Sequence, residues 1–257
     1  MSMSLICRGI TVAMANKTLL NGVSAEFESG VLTVLIGPNG AGKSTLLRIL
    51  SGQLKAAEGD IEINGQPLRD YGLAELAHQR CVMTQSSKIA FDFSVKEIML
   101  FGWLDSQRVQ WGVFDEVARL CRVQDMLYRR FNTLSGGEQQ RVHFARTLVQ
   151  LRSSNHQGGD QFILLDEPTA SLDIAHALHL LSLVKRVVSE GVGAVVVLHD
   201  LNLAARLADK LILLESGIVV DQGRVGDVMN GDTLSRVYKT QIRVEHHSEL
   251  GRLVVHT

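Results

Sequence analysis

Short apolar runs recur along this chain, and stretches with a helical period separate them. The runs have the length of buried strands and cover residues 31–36, 162–165, 194–198 and 210–214. After the second run, apolar residues recur on one face of a helix, at Leu178, Leu181, Val184 and Val187. Strands that alternate with helices favour a parallel sheet whose two faces are both covered.

Other segments predict further strands, some of them in hairpins. Residues 5–12 and 18–27 alternate loosely between apolar and polar side chains, and residues 81–83 form a short apolar strand. Residues 58–65 predict a strand that ends in a turn at Asn64 and Gly65, a pair typical of two-residue hairpins. Residues 242–256 predict a second hairpin that turns around residues 248–251.

The pattern changes between residues 94 and 150. Apolar residues recur there at helical spacing, at Val95, Ile98, Met99, Val113, Val117, Leu120 and Cys121. This spacing predicts a helical insertion of about 60 residues. The polar, glycine-containing residues 153–161 predict a surface loop after it.

Composition narrows the class of protein. The 257 residues are enough for one large domain or two closely joined ones, and the hydrophobic share of 46% is ordinary for a globular protein. The net charge of −1 gives no electrostatic case for nucleic acid as a partner. The three cysteines lie far apart and have no metal-binding or redox spacing, which fits a reducing compartment. We see neither a signal peptide nor an apolar run near the ~20 residues that span a bilayer.

The strongest chemical signal follows the first apolar run. It fits the phosphate-binding pattern G-x-x-x-x-G-K-[ST] and comprises Gly37, Pro38, Asn39, Gly40, Ala41, Gly42, Lys43, Ser44 and Thr45. Its glycines let successive backbone N–H groups point at one anion, and the helix predicted from Ser44 begins at the same place. Lys43 is predicted to reach the β- and γ-phosphates, and the Ser44 hydroxyl to hold Mg²⁺. The alternative is a glycine-rich turn that binds nothing.

Two acids end the apolar run at residues 162–165. In a fold with a phosphate loop, Asp166 is predicted to hold Mg²⁺, and Glu167 to orient and polarise the attacking water. The alternative is that Asp166 only caps a following helix.

A second glycine-rich helix start lies at Leu134, Ser135, Gly136, Gly137 and Glu138. Ser135 and Glu138 have the spacing of a capping box for a helix over residues 138–150. A cap does not need two glycines, which weaken the start of a helix. The pair therefore indicates a second site at which backbone N–H groups meet an anion.

The order of the motifs in this chain resembles that of the ATP-binding cassette (ABC) ATPases. These motifs are the phosphate loop, Gln85, residues 134–140, residues 166–169, residues 171–173 and His199. The resemblance spans nearly the whole chain, and the Leu-Ser-Gly-Gly signature is peculiar to that family. It implies an α/β P-loop fold with a mostly parallel sheet, an antiparallel β subdomain and an inserted helical subdomain. One nucleotide-binding domain would then cover residues 1–257, with a core of residues 1–85 and 151–257 and a helical subdomain at about 86–150.

The same resemblance implies roles for three further residues. Gln85 would sense Mg²⁺ and the attacking water, and would link the ATP site to the helical insertion. Asp173 would lie in the turn that couples two sites, and His199 would contact the γ-phosphate. Without the resemblance, His199 is best interpreted as a histidine satisfied at a strand end.

Partners and cargo are also implied by resemblance. Two copies would pack head to tail, each offering its signature to the ATP bound by the other, on two copies of a separate permease at the cytoplasmic face of a bacterial inner membrane. Residues 169–176, the loop at 153–161 and the absence of a long C-terminal extension resemble ATPases of haem importers, which work with a periplasmic haem-binding protein. Importers of cobalamin or ferric siderophores, and soluble relatives that act on DNA or ribosomes, are the alternatives.

One position departs from the family pattern. The family usually stacks adenine on an aromatic side chain some thirty residues before the lysine, where this chain has Met14. A contact between a thioether and an aromatic ring contributes only roughly 0.3–1.5 kcal/mol of favourable free energy, so we expect weaker recognition of adenine here.

Two phenylalanines and a histidine pair invite specific functions. Phe91 and Phe93 are candidate apolar anchors for a permease helix, and packing within the helical insertion is the alternative. His246 and His247 suggest a haem ligand, but we reject that role because imported haem should pass through the permease.

Overall fold

The computed structural model describes residues 4–14, 17–85, 91–105, 108–154, 161–249 and 251–256, and its centre is a six-stranded sheet. Its strands, in spatial order, are β10 (Ile218–Arg224), β9 (Lys210–Glu215), β3 (Leu32–Ile36), β8 (Gly193–Val197), β7 (Phe162–Asp166) and β6 (Arg80–Met83). Neighbours from β9 to β6 pair in parallel, which confirms the predicted sheet. The edge strand β10 pairs antiparallel with β9 and was not predicted.

Three of the inner strands, β3, β7 and β8, are buried along their whole length. Successive side chains of a strand point to opposite faces, so each strand contributes to two cores. Val34, Ile163 and Val196 belong to the larger core, which includes the helical insertion. Leu35 and Leu164 belong to the other core, on the opposite face.

An antiparallel sheet of four strands encloses this second core. It runs in the order β2 (Lys17–Glu28), β1 (Ser4–Met14), β4 (Glu58–Ile63) and β5 (Gln66–Pro67). The predicted hairpin after β4 is confirmed, since its two turn residues, Asn64 and Gly65, have φ angles of 53° and 80°. Both lie in the left-handed region that such a tight turn requires.

Helices cover the central sheet on both faces. They are α1 (Lys43–Leu50), α2 (Leu73–Gln79), α6 (Ile174–Ser189), α7 (Leu201–Leu207), α8 (Val225–Val228) and α9 (Gly231–Tyr238). The apolar face predicted for α6 is buried at Leu181, Val184 and Val187, whereas Leu178 is half-buried. The sequence analysis did not predict α2, α7, α8 and α9.

The predicted helical insertion contains α3 (Val95–Leu100), α4 (Trp111–Leu120) and α5 (Gly136–Ser153). Helix α5 packs against α3 and α4 at one end and against β6 at the other. The Gln150 amide donates to the carbonyl of Ala77 at 2.9 Å and so ties α5 to α2. The domain boundary predicted near residue 150 therefore lies inside one continuous helix.

The predicted C-terminal hairpin is present as β11 (Arg243–His247) and β12 (Arg252–His256). Asn202 of α7 pairs with the backbone of Val255 through two hydrogen bonds, so the hairpin is fixed to the body of the fold. The proposed surface loop falls mainly on residues 155–160, and the segment after Gln85 on residues 86–90; both lie outside the described residues. Among the described helices, none is both long and apolar enough to cross a membrane.

Candidate functional site

The phosphate loop connects the end of β3 to the start of α1. Its glycines Gly37, Gly40 and Gly42 have φ angles of 141°, 78° and 104°, which other residues rarely adopt. A Cβ atom on Gly37 would lie 2.1 Å from the carbonyl oxygen of Leu214, and one on Gly42 would lie 2.9 Å from that of Leu19. Glycine is therefore required at both ends of the loop by space as well as by conformation.

Lys43 is the first residue of α1, and its side chain lies across the loop. The ammonium donates to the carbonyls of Gly37 and Pro38 at 2.7 and 3.0 Å, and the residue is only 5% exposed. Burial lowers the pKa of Lys43, while the carboxylates of Glu167 and Asp166 act in the opposite direction. A cation is thus held where phosphate oxygens are predicted to bind.

Asp166 and Ser44 meet at the carboxyl end of β7. The Ser44 hydroxyl donates to Oδ1 of Asp166 at 2.9 Å, and Asp166 is 4% exposed. Burial raises the pKa of Asp166, and the hydrogen bond from Ser44 opposes that shift. Asp166 does not cap a helix, since α6 is capped by Asp173. A hydroxyl beside a carboxylate is an oxygen donor set that suits Mg²⁺.

Three neighbouring parallel strands bring Gln85, Glu167 and His199 together. Strands β6, β7 and β8 end just before these residues, so the three side chains meet at one edge of the sheet. Nε2 of His199 lies 2.5 Å from Oε1 of Glu167, and Nε2 of Gln85 donates to Oε2 at 2.7 Å. Both oxygens of the candidate catalytic carboxylate are therefore held, and Glu167 and His199 line a cleft of about 430 Å³.

The second glycine-rich motif begins α5. Ser135 is the N-cap, and the predicted capping box is complete: Ser135 Oγ accepts from Glu138 N at 3.3 Å, and Glu138 Oε2 accepts from Ser135 N at 2.7 Å. The hydrogen bonds from Ser135 lower the pKa of Glu138. The helix starts at Gly136, two residues earlier than predicted, so both glycines lie in its first turn.

This helix start opens into a cleft of about 570 Å³. The cleft is lined by Ser135, Gly136, Gly137, Glu138, Arg141, Ser171, Leu172, Asp173 and His176. Asp173 accepts hydrogen bonds from the backbone N–H and from Nδ1 of His176, and these bonds lower its pKa. The lining described here includes no residue of the phosphate loop, so one chain presents its two glycine-rich helix starts separately.

The adenine contact predicted for Met14 stays a prediction. Met14 lies at the end of β1, opposite Lys17, and is 53% exposed. The structure places this side chain on the surface, where a base could contact it.

Two contacts to the site were not predicted by the sequence analysis. The hydroxyl of Tyr238, in α9, accepts the backbone N–H of Gly37 at 2.8 Å, across 201 positions of sequence. The side-chain amide of Gln140, in α5, donates to the main-chain carbonyl of Glu167 at 3.0 Å. Neither has a local sequence signal, since both bonds depend on tertiary packing.

Three phenylalanines form a cluster at the two ends of α3, with two before the helix and one directly after it. Phe91 and Phe101 are 71% and 60% exposed, and Phe93 lies between them with edge-to-face contacts at 6.0 and 4.9 Å. Phe93 also packs against the larger core. Phe91 thus lies on the surface, as an anchor would, whereas Phe93 packs largely against the core, as the alternative predicts.

Comparisons with known proteins agree with this geometry. A family profile described as ABC transporter matches residues 20–170. The hemin import ATP-binding protein HmuV of Rhodopseudomonas palustris (strain BisB5) is 40% identical over 248 residues, which are 96% of this chain and 95% of that protein. The protein of the same name from Enterobacter cloacae is 41% identical over 242 residues, 91% of this chain and 90% of that one.

Solved structures show the same fold. An ATP-binding cassette of an ABC transporter in its ADP conformation superposes with a TM-score of 0.78 at 23% identity, covering 93% of this chain and 99% of the other. The ATP-binding subunit of another ABC transporter gives a TM-score of 0.76 at 22% identity, covering 92% and 94%. These likenesses establish the α/β P-loop fold of an ABC ATPase domain.

Proposed function

The chain belongs to the ABC transporter family, and from that membership we propose that it is the ATPase subunit of a bacterial haem importer. ATP binding and ATP hydrolysis follow from the family. The observation that carries the catalytic part is the carboxylate of Glu167, held between His199 and Gln85 at the edge of the sheet that also ends in the phosphate loop. The cargo rests on the relatives, which are named as hemin import proteins.

Glu167 orients and polarises the attacking water. Its two oxygens already accept hydrogen bonds or face donors, so the carboxylate has a fixed direction before the substrate arrives. His199 lies at the same edge of the sheet, where it would contact the γ-phosphate. Lys43 binds the phosphates as its ammonium exchanges the carbonyls of Gly37 and Pro38 for phosphate oxygens.

Ser44, Asp166 and Gln85 hold Mg²⁺ in this proposal. The hydroxyl of Ser44 and the carboxylate of Asp166 lie 2.9 Å apart, and both are hard oxygen donors. A Mg²⁺ ion held by these residues would neutralise part of the negative charge that develops during phosphoryl transfer.

Two subunits act together in a head-to-tail dimer. The cleft that begins at Ser135 and ends at Asp173 is open and contains the N-terminus of α5. Such an N-terminus favours an anion, so the cleft suits the γ-phosphate of ATP held by the phosphate loop of a second copy. Each active site would then need residues from both chains.

A separate permease supplies the path across the membrane. Two copies of it would sit on the dimer at the cytoplasmic face of the inner membrane, with a periplasmic haem-binding protein on the far side. The exposed ring of Phe91, 71% accessible beside Phe93 and Phe101, is the anchor that we assign to a permease helix.

Haem is the cargo that the sequence neighbours favour. Cobalamin and ferric siderophores are carried by importers of similar architecture, and the ATP site itself is silent on cargo. Residues 169–176 resemble the haem branch and supply the internal support for this assignment.

The test is transport by the assembled importer in lipid vesicles. Haem, cobalamin and a ferric siderophore are offered separately with the matched binding protein, and uptake and ATP hydrolysis are measured together. Haem-dependent uptake with stimulated hydrolysis is expected, and the same vesicles with Glu167→Gln should show neither. Uptake of cobalamin or of the siderophore, but not of haem, would refute the assignment of haem as cargo. The assignment of ATP hydrolysis would be unaffected by that result.

A further inference from the structure

The side chain of Gln140 connects the helix that begins at the second glycine-rich motif to the residue that we propose as the catalytic carboxylate. It lies one turn into α5, is only 8% exposed, and its Nε2 donates to the main-chain oxygen of Glu167 at 3.0 Å. Helix α5, the signature helix, begins at the cleft lined by Ser135 and Asp173, whereas Glu167 directly follows β7 at the proposed hydrolysis site. One side chain therefore joins the signature helix to the backbone of the catalytic carboxylate.

The carbonyl that Gln140 contacts is held by a second donor. The N–H of Ala170 donates to the same Glu167 oxygen at 3.1 Å, so both lone pairs of that oxygen are used. Glu167 has a φ of 49°, a left-handed conformation that is uncommon for a residue with a side chain. Such a conformation persists only where the surroundings hold it, and the two hydrogen bonds supply that support.

The first turn of α5 also packs on the segment that follows Glu167. A Cβ atom on Gly136 would lie 3.5 Å from Cβ of Ser171, and one on Gly137 would lie 3.0 Å from the Ser171 oxygen. The signature glycines thus fit closely against this segment. A displacement of the start of α5 would therefore shift Ser171 and, through Gln140, the backbone of Glu167.

We propose that Gln140 is a positioning residue that passes the state of the signature helix to Glu167 of the same subunit. This rests on the proposed function, in which the signature contacts the ATP held by the partner copy. Nucleotide at one site of the dimer would then set the orientation of the catalytic carboxylate at the other site. Gln140 acts through the backbone of Glu167.

The test compares two glutamines of the same helix in the complete chain. Gln140→Leu removes the donor to Glu167 at similar side-chain volume. Gln150→Leu is the matched control, because it removes side-chain hydrogen bonds to the carbonyls of Ala77 at 2.9 Å and Arg80 at 3.3 Å, near the opposite end of α5. kcat, KM for ATP and the Hill coefficient for ATP are measured for both variants and for the wild type, and unfolding temperature checks the fold.

Gln140→Leu should lower kcat by about 10- to 100-fold with KM changed less than about twofold, because misplacement of a catalytic group slows turnover without loss of binding. Its Hill coefficient should fall toward one. Gln150→Leu should keep both kcat and the Hill coefficient. Equal loss in the two variants, or a wild-type kcat in Gln140→Leu, would overturn the proposal.

Gln140→Glu provides a second variant in case the leucine disturbs folding. It keeps the size of the side chain and loses the donor when ionised, but it can donate again when protonated. Its activity relative to wild type should therefore rise as the pH falls toward about 5, near the range of a carboxyl group. A constant ratio across pH would count against the hydrogen bond. Absence of hydrolysis by the wild type would instead reject the proposed function.

Discussion

Replacement of Glu167 by glutamine tests the central assignment with the smallest change of shape. In the structure, Oε1 of Glu167 faces Nε2 of His199 at 2.5 Å, and Oε2 accepts from Gln85 at 2.7 Å. A glutamine can keep its oxygen toward Gln85 and turn its NH₂ group toward His199, whose Nε2 then accepts. The side chain therefore stays in place while the negative charge is lost.

The magnitude follows from what the carboxylate contributes. General-base assistance is worth about 10²- to 10⁴-fold, so kcat should fall by that factor, or about 3–5 kcal/mol in barrier height. Lys43 and the backbone N–H groups of the phosphate loop are unchanged. ATP affinity should therefore stay within about threefold of wild type, the result expected when an interaction made in the transition state is removed.

The assay measures phosphate release at saturating ATP, with ATP binding and particle size in parallel. Glu167→Gln should bind ATP and accumulate as a dimer in sizing experiments, since ATP persists at the interface. Lys43→Ala is the control, because it removes a direct phosphate contact and should weaken ATP binding itself. Hydrolysis by Glu167→Gln at the wild-type rate would refute the assignment of the catalytic carboxylate.

Three further changes test separate features. Met14→Tyr should tighten ATP binding by up to about tenfold without loss of turnover, because base stacking on an aromatic ring is worth roughly 1–3 kcal/mol and methionine recovers only part of it; unchanged or weaker affinity would show that Met14 does not face adenine. Tyr238→Phe leaves the N–H of Gly37 without its acceptor and should lower the free energy of unfolding by about 1–3 kcal/mol, and no loss in denaturant titrations would contradict that role. Burial lowers the pKa of His143 to about 4, so between pH 6.5 and 4 only the unfolded chain takes up the proton. The free energy of unfolding should therefore decrease by up to about 3 kcal/mol as the pH falls through this range. His143→Phe should flatten that part of the stability–pH curve, and an unchanged slope would refute the assignment.

The strands and the chemical motifs could be predicted because each carries its own local signal. Strands β3, β7 and β8 are buried throughout and are continuous apolar runs in the sequence. The loop glycines and the two acids at the end of β7 lie at the ends of such runs, where a parallel sheet places its ligand sites. The fold and the positions of most candidate site residues were therefore predictable from the sequence.

The missed elements lack such a signal. Helices α2 and α7 have seven residues each and α8 has four, too short for a clear helical period. Tyr238 and Gln140 act through single hydrogen bonds to backbone atoms of distant segments. A side chain that supports a backbone carbonyl has no preferred spacing from it, so pattern alone cannot find it.

The two signature glycines show how one motif meets two physical demands. From sequence they indicated exposed N–H groups for an anion, and the structure adds close packing against Ser171. The two glycines differ in how closely they pack. A Cβ atom at Gly136 would make an ordinary contact, whereas one at Gly137 would lie only 3.0 Å from the main-chain oxygen of Ser171. An alanine at Gly137 would therefore disturb the segment that leads back to Glu167 as well as the proposed anion site. Because Gln140 holds the carbonyl of Glu167 from the same helix, the signature of the proposed dimer would serve catalysis within its own subunit as well as nucleotide binding across the interface.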